Sequence, residues 1–471
     1  MMSGLKFAGL SPHPPLLVPE IGGRRLKEIQ DTQLAMQSFA KQVAQVEPDL
    51  VITISPHGPV FSDAISILNI SQLKGDFAQF GFPDLELSYD LAEDVIEDIV
   101  RFAKEEEITV ARIDKASTNK FNVSSKLDHG VLVPLYYLRE AGVKEVPLLP
   151  LTMGMLPYTE LYKFGKILQL LSEQWDYRIA LIASGDLSHR LTADAPAGFS
   201  PQGKEFDQKI VEILKEDKVA EIFDLEQSLI EKAGECGLRP IVMMLGALDG
   251  LAVDNKFLAY EGPFGVGYAV ASYRITGRDE SRELLDQLLA GQNLQLRQQR
   301  ATESVLVKLA RKTVEEYALN KEIIEAPESL TPEMEKEAGV FVSIKKNGQL
   351  RGCIGTTEAT EENVAQEIIR NALNAAFKDP RFPKVDANEL AELTYSVDVL
   401  GEAEKVEDIE ELDPQKYGVI IKKGSKRGLL LPRLDGVDSV EKQLEIAKRK
   451  AGLAPQEEDI EIMRFEVKRY Q

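Results

Sequence analysis

Histidine and cysteine are scarce in this chain: 471 residues contain four histidines, two cysteines and one tryptophan. Two thiols, Cys236 and Cys353, cannot staple a chain of this length, so a disulfide framework is excluded and either thiol matters only as chemistry. No run of about 18 consecutive apolar residues occurs, which argues against a membrane-spanning helix, and the first residues lack the apolar core of a signal peptide. A cytoplasmic location and no membrane partner are therefore expected. Positive charge is also in deficit, with 56 basic against 77 acidic residues and a net charge of -21. Affinity for nucleic acid comes largely from Lys and Arg displacing counterions, so no nucleic-acid partner is expected.

What remains is the balance of a globular protein, 44% apolar and 28% charged, in a chain long enough for at least two domains. Apolar runs at residues 6–10, 50–54, 146–151 and 179–183 end in small or polar residues and predict strands buried on both faces. Helical patterns at 91–103 and 161–175 lie between them, and 265–275 predicts a final strand. This alternation predicts an α/β domain with a mostly parallel central sheet and helices on both faces, over residues 1–277. The polar stretch 278–300 predicts a linker with one amphipathic helix. A smaller α+β domain over 301–471 follows, opened by a helix with Leu306, Leu309, Ala310, Val314 and Tyr317 on one face. Asn347-Gly348 predicts a tight hairpin, because both central positions of a type I′ turn need positive φ. Residues 363–377 predict a helix that packs Ala365, Ile368, Ile369, Ala372 and Ala376.

All four histidines stand where a strand or helix meets a loop. His13 lies in Ser11-Pro12-His13-Pro14 after the first strand, and His57 in Ser55-Pro56-His57-Gly58 after the second. His129 follows Asp128, and His189 ends Gly185-Asp186-Leu187-Ser188-His189. A single histidine beside a Pro-rich turn is more often a cap than a ligand. Four at the ends of parallel strands, where α/β sheets bind ligands, predict a metal-centred site.

In these motifs and their order, residues 5–277 resemble the class III extradiol dioxygenase superfamily, with its LigB-type catalytic subunits and Memo-like members. The resemblance implies His13 and His57 as metal ligands, with a third from Ala233-Gly234-Glu235-Cys236-Gly237. Glu235 matches the carboxylate of the ring-cleaving enzymes and is the favoured expectation; Cys236 matches the cysteine of Memo-like proteins and is the alternative. Two histidines and a carboxylate suit Fe(II), whereas a thiolate favours copper or zinc. His189 is expected as catalytic base and His129 as the group that orients a small aromatic or metal-chelating substrate. Asp128 and Asp186 are expected to orient those imidazoles.

Residues 301–471 resemble the AMMECR domain through Leu350-Arg351-Gly352-Cys353-Ile354-Gly355-Thr356, Asp379-Pro380-Arg381-Phe382-Pro383 and Arg427-Gly428-Leu429. Arg351 is expected as an anion-binding fork and Cys353 as a nucleophile or a packed turn residue, with Gly352, Gly355, Asp379 and Arg381 completing the motif. Lys422, Lys423, Lys426 and Arg427 form a small basic cluster. Fusion of the two domains resembles the AmmeMemoRadiSam system, which implies a radical S-adenosylmethionine protein as a partner. The sequence carries no reading of oligomeric state.

Overall fold

The structure, a computed structural model, describes residues 3–434, 436–457 and 459–471. It divides into two compact units, Met1–Leu289 and Ala290–Gln471. The division falls inside the helix Leu285–Thr302, in the stretch read as a linker. Leu285 and Leu288 of that helix pack on the core of the first unit.

Ten strands belong to the first unit: β1 (Gly4–Ser11), β2 (Leu50–Ser55), β3 (Ile65–Leu68), β4 (Gln72–Phe77), β5 (Phe82–Asp90), β6 (Val110–Ile113), β7 (Leu148–Thr152), β8 (Arg178–Ser184), β9 (Leu251–Glu261) and β10 (Tyr268–Arg278). Eight of them form one sheet in the order β6-β3-β7-β2-β8-β1-β10-β9, while β4 and β5 make a separate hairpin. The run β7-β2-β8-β1 is parallel, and β10 and β9 extend it antiparallel. Every residue of β2 and β7 is buried, as the continuous apolar runs require of strands covered on both faces. The alternation read from the sequence thus gives the mixed α/β fold. It overlooked β3 and β6, four residues each, and β9, whose side chains are mostly half-buried.

The helix Tyr158–Ser172 packs on the helix Leu238–Ala247 through two glycines. A Cβ on Gly165 would lie 2.0 Å from Met243 O, and one on Gly246 would lie 2.0 Å from Tyr162 O. The backbones touch, and the start of the second helix is thereby fixed against the sheet. Gly165→Ala is expected to force the helices apart at a cost of about 1–3 kcal/mol, read as a lower melting temperature of the first unit.

The second unit holds seven antiparallel strands: β11 (Val340–Lys346), β12 (Gln349–Gly355), β13 (Leu393–Leu400), β14 (Glu404–Lys405), β15 (Tyr417–Lys423), β16 (Lys426–Leu430) and β17 (Glu461–Tyr470). Their order is β12-β11-β13-β17-β15-β16, with β14 beside β17. Asn347 at φ 50° and Gly348 at φ 79° make the predicted tight turn between β11 and β12. Helices Val305–Asn320 and Val364–Phe377 pack on the face carrying Val340, Val342, Tyr395 and Val397, and the predicted face of the latter helix is buried throughout. Among the described residues no helix is long and apolar enough to cross a membrane.

Candidate metal centre

Strands β2, β8 and β1 are neighbours, and their register brings Ser11 beside Ser184 and Ile54 beside Ala183. Three chains therefore leave the sheet at one level, each through a fully buried serine: Ser11, Ser55 and Ser184. The loops that follow carry His13, His57 and His189. His129 opens the helix His129–Glu140, whose first turn Asp128 caps by accepting from Gly130 N.

The imidazoles converge. His57 Nε2 lies 2.8 Å from His13 Nε2, and the rings of His57 and His129 stack with centroids 4.5 Å apart. Cys236 Sγ sits 3.7 Å from His13 Nε2 and 3.6 Å from His189 Nε2. Donor atoms of His13, His57 and Cys236 all lie within 4.8 Å of one another. Ordinary metal–nitrogen and metal–sulfur bonds in a tetrahedron put N and S about 3.6 Å apart and two nitrogens about 3.3 Å apart. The Cys236–His13 separation matches that spacing, and His13 and His57 stand about 0.5 Å closer than two nitrogens on one ion would.

Glu235, the favoured third ligand in the sequence reading, does not join this group. Its Oε2 accepts from Leu238 N at 2.6 Å and caps the helix Leu238–Ala247. The side chain one residue on faces the imidazoles instead. A glycine contact sets that choice: a Cβ on Gly185 would fall 2.3 Å from Gly237 Cα, so the Cys236-Gly237 turn lies directly on the β8 exit. Cys236 N also donates to Asp186 O, and Asp186 N to Cys236 Sγ. The Cys-Gly spelling is thus explained by steric fit.

Electrostatics keep the cluster neutral. Burial, then the neighbouring His57, His129 and His189, push His13 well below the usual imidazole range. Burial and His129 bring His57 down to about 4, and burial lowers His129 and His189. All four rings therefore hold a lone pair at neutral pH, as ligation requires. Burial, then the charge of Asp186, raises the Cys236 thiol, so an ion bound there displaces the thiol proton.

Asp128 and Asp186 act differently from expectation. Asp128 Oδ1 accepts from Ser55 Oγ at 2.6 Å as well as from Gly130 N, tying the helix that carries His129 to the end of β2. Asp186 Oδ1 accepts from His13 N at 2.9 Å, and its Oδ2 stands 3.8 Å from His13 Nε2. Burial pushes this carboxyl up to about 7. Each aspartate fixes backbone around the imidazoles; neither orients His129 or His189 through a ring hydrogen bond. The residue that does hold a ring is Ser184, whose Oγ lies 3.0 Å from His13 Nδ1 and leaves Nε2 facing the cluster. Sequence reasoning passed over it, although the serine at each strand end was the available signal.

In the second unit, the AMMECR motif lies on an edge strand. The antiparallel pairing of Cys353 with Ser343 on β11 leaves its other side without a strand. Asp379 and Arg381 take that strand's place. Asp379 Oδ2 accepts from Cys353 N, and Arg381 Nη2 donates to Cys353 O. The two are locked together by Nε to Oδ1 at 2.9 Å and Nη2 to Oδ2 at 2.7 Å. Gly352 allows the helix behind to approach, since its Cβ would lie 2.2 Å from Ala375 O, and Gly355 lies under Phe341. Arg351 is not an open anion fork: it is closed on Glu389 and on the carbonyls of Pro383 and Lys384. The basic cluster separates too, with Lys423 paired to Glu457 and Arg427 to Glu358.

Fold and site together define an α/β protein with a candidate metal centre at the carboxyl ends of its parallel strands, joined to a second, antiparallel α+β unit. The chain belongs to the LigB family, the catalytic LigB subunit of aromatic ring-opening dioxygenase, whose model matches residues 7–271; the AMMECR1 model matches residues 307–470. Protein CA_C1420 of Clostridium acetobutylicum is 40% identical over 463 residues, 98% of each chain. A Thermotoga maritima protein is 51% identical over 166 residues, covering 35% of this chain and 95% of its own. A crystal structure of the uncharacterized protein PH0010 from Pyrococcus horikoshii is similar at a TM-score of 0.33 and 32% identity, covering 35% of this chain and 88% of that one.

Two outcomes are expected from these geometries. Cys236→Ala should lose the bound metal on anaerobic purification, whereas Glu235→Gln should keep it and lose about 1 kcal/mol of stability as a weakened helix cap, read by metal analysis and thermal unfolding. Asp379→Ala should speed hydrogen exchange of the Cys353 amide by about 5- to 150-fold, the equivalent of 1–3 kcal/mol for an orphaned donor. The same lock is acid-sensitive. The Arg381 fork, with the Cys353 and Arg381 backbone N–H groups, holds the Asp379 carboxyl well below its usual range. Its contribution is present above the ordinary carboxylate pKa of about 4 and is lost as pH falls through the folded value.

Proposed function

We propose that the N-terminal domain is a metal-dependent module in which His13, His57 and Cys236 would hold the ion, with His129 beside His57 and His189 beside Cys236. The observation that carries this reading is the spacing of the three donors, with Glu235 turned into a helix cap. A thiolate with two imidazoles favours a thiophilic ion such as copper or zinc over Fe(II), because soft sulfur ligands select such metals. When bound, the ion supplies Lewis acidity, or a redox couple if it is copper or iron.

The chain's own residues do the rest. Ser184 fixes the His13 ring, and Asp186 fixes the His13 backbone. His189, neutral and half-buried, takes a proton from an acidic hydroxyl of the substrate at Nε2. His129, stacked on His57 and edge-on to the ring of Phe80 at 5.7 Å, borders the cluster with an aromatic wall that suits a small aromatic or metal-chelating substrate.

Two activities are compatible with such a module. Membership of the LigB family supports Fe(II)-dependent ring opening of a catechol-like substrate with O2. The thiolate in place of a carboxylate, and the pairing with an AMMECR1 domain along the whole Clostridium relative, support a non-dioxygenase role beside a radical S-adenosylmethionine partner. The sulfur ligand favours the second.

Metal content after anaerobic purification, followed by O2 uptake with catechol and protocatechuate, tests this. The expected result is copper or zinc near one per chain, lost in His13→Ala and Cys236→Ala, with no O2 uptake above the metal-free protein. Stoichiometric iron retained in Cys236→Ala, together with catechol-dependent O2 consumption, would restore the dioxygenase reading.

A further inference from the structure

The second unit contains a cluster that the edge-strand lock does not use. Cys353, Ser343 and Ser396 are directly opposite one another on β12, β11 and β13, so their side chains form one row across the sheet face away from the helices. Ser343 Oγ donates to Cys353 Sγ at 3.2 Å, and Cys353 remains half-buried. On the same face lies Asp398, in register with Phe341 on β11 and with Arg469 on β17.

Two guanidinium groups flank this row, each held by a carboxylate that is itself almost inaccessible. Arg381 forks onto Asp379 and Arg469 onto Asp398, the latter at 2.7 Å through both Nε and Nη2. The side chains of Asp379 and Asp398 are each 2% exposed, while those of Arg381 and Arg469 are 53% and 41% exposed. Each fork consumes Nε and Nη2, so among the described residues the Nη1 donors of both arginines have no protein partner. The carboxylates of Asp379 and Asp398 hold the two guanidinium groups firmly protonated, and the Cys353 sulfur contributes to both in smaller measure, which puts both within electrostatic reach of it.

The chemistry open to this cluster is narrow. All four histidines lie at or before residue 189, so no imidazole of this unit can pass a proton to a leaving amine or alcohol. Both nearby carboxylates are occupied by arginine. Hydrolytic or amide-transfer chemistry needs such a proton donor. Thiol–disulfide exchange does not, because its leaving group departs as a thiolate.

We propose that Cys353 is a site of thiol–disulfide exchange with a small disulfide that carries carboxylates, which Arg381 and Arg469 bind through their free Nη1 donors. The Cys353 sulfur, as thiolate, attacks one sulfur of the disulfide. A new S–S bond forms to Cys353 while the original S–S bond breaks, and the second half leaves as a thiolate with the bonding pair. The proton given up by Cys353 ends on that thiolate or in water. The number of S–S bonds is unchanged: the Cys353 sulfur is oxidised to the disulfide level as the departing sulfur is reduced to a thiolate, so the exchange needs no outside oxidant or reductant. Exposed arginine donors give selectivity for the carboxylates, as planar guanidinium groups do generally.

Oxidised glutathione is the probe, with neutral 2-hydroxyethyl disulfide as control, each rate on the full-length protein being divided by that of free cysteine with the same disulfide. Peptide mass mapping is expected to find one glutathionyl group on Cys353 and little on Cys236, whose sulfur stands against the His13 and His189 rings. The normalised preference for glutathione disulfide over the neutral disulfide is expected to be roughly tenfold, and to fall toward unity in Arg469→Gln, which leaves the Asp379–Arg381 lock in place. A folded Arg469→Gln protein with the preference unchanged would overturn the proposal, as would equal normalised rates for the two disulfides in the unaltered protein. Modification confined to Cys236 would do the same. The preference read at Cys353 and its loss in Arg469→Gln do not involve the metal ligands, so the proposal stands or falls separately from the reading of the first unit.

Discussion

The candidate centre depends on one constraint, the parallel register of β1, β8 and β2. Because Ser11 lies beside Ser184 and Ile54 beside Ala183, three polypeptide exits begin at the same height above the sheet. A slip of one residue in any strand would exchange the side chains packed on its two faces and move its histidine about 3.3 Å along the axis. Burial on both faces is what forbids the slip, so the stability of the core and the convergence of the imidazoles have one cause. The fourth participant is brought in differently. Cys236 comes from the start of a helix pressed onto the β8 exit, where two glycines meet without side chains.

That arrangement also sets the electrical character of the site. Four imidazoles and a thiol packed into a partly dry space cannot all be charged, and burial keeps the rings neutral. An ion entering such a space would meet neutral rings with free lone pairs in place of the repulsion that protonated rings would present. The carboxyl groups nearest to it, Asp128 and Asp186, spend their oxygens on backbone and hydroxyl groups, so the cluster is organised by carboxylates that hold the loops.

Much of this was legible in the sequence, for identifiable reasons. The largely apolar runs 50–54 and 179–183, ending just before Ser55 and Ser184, read as buried strands because strands covered on both faces carry such runs. The Ser-Pro-His repeats read as site turns because the histidines are so few. The choice between Glu235 and Cys236 was not legible, since adjacent residues differ only in direction and the direction is set by Gly185, fifty residues away. Arg351 was misread for a similar reason. An arginine in a motif looks like an open fork until the loop that carries Glu389 is seen to close it. Short strands such as β3 and β6 escaped because four residues carry too little periodicity to tell a strand from a turn.

The order of strands in the second unit bears on how the protein is made. β17 lies inside the sheet, its last residues on β13 and its first on β15, yet it follows every strand it joins. The halves on either side of it can form local hairpins while the ribosome is still at work, but the sheet stays open along its middle until residue 470 has emerged. Until then β13 and β15 each present an unpaired edge, the hazard that such edges create for other nascent chains. The first unit, whose last strand pairs β1 as soon as residues 268–278 appear, has closed its own sheet by that time. Synthesis therefore proceeds with a finished domain in front and an unzipped one behind it, and the vulnerable interval lasts from the completion of β13 at Leu400 to that of β17 at Tyr470, about 70 residues.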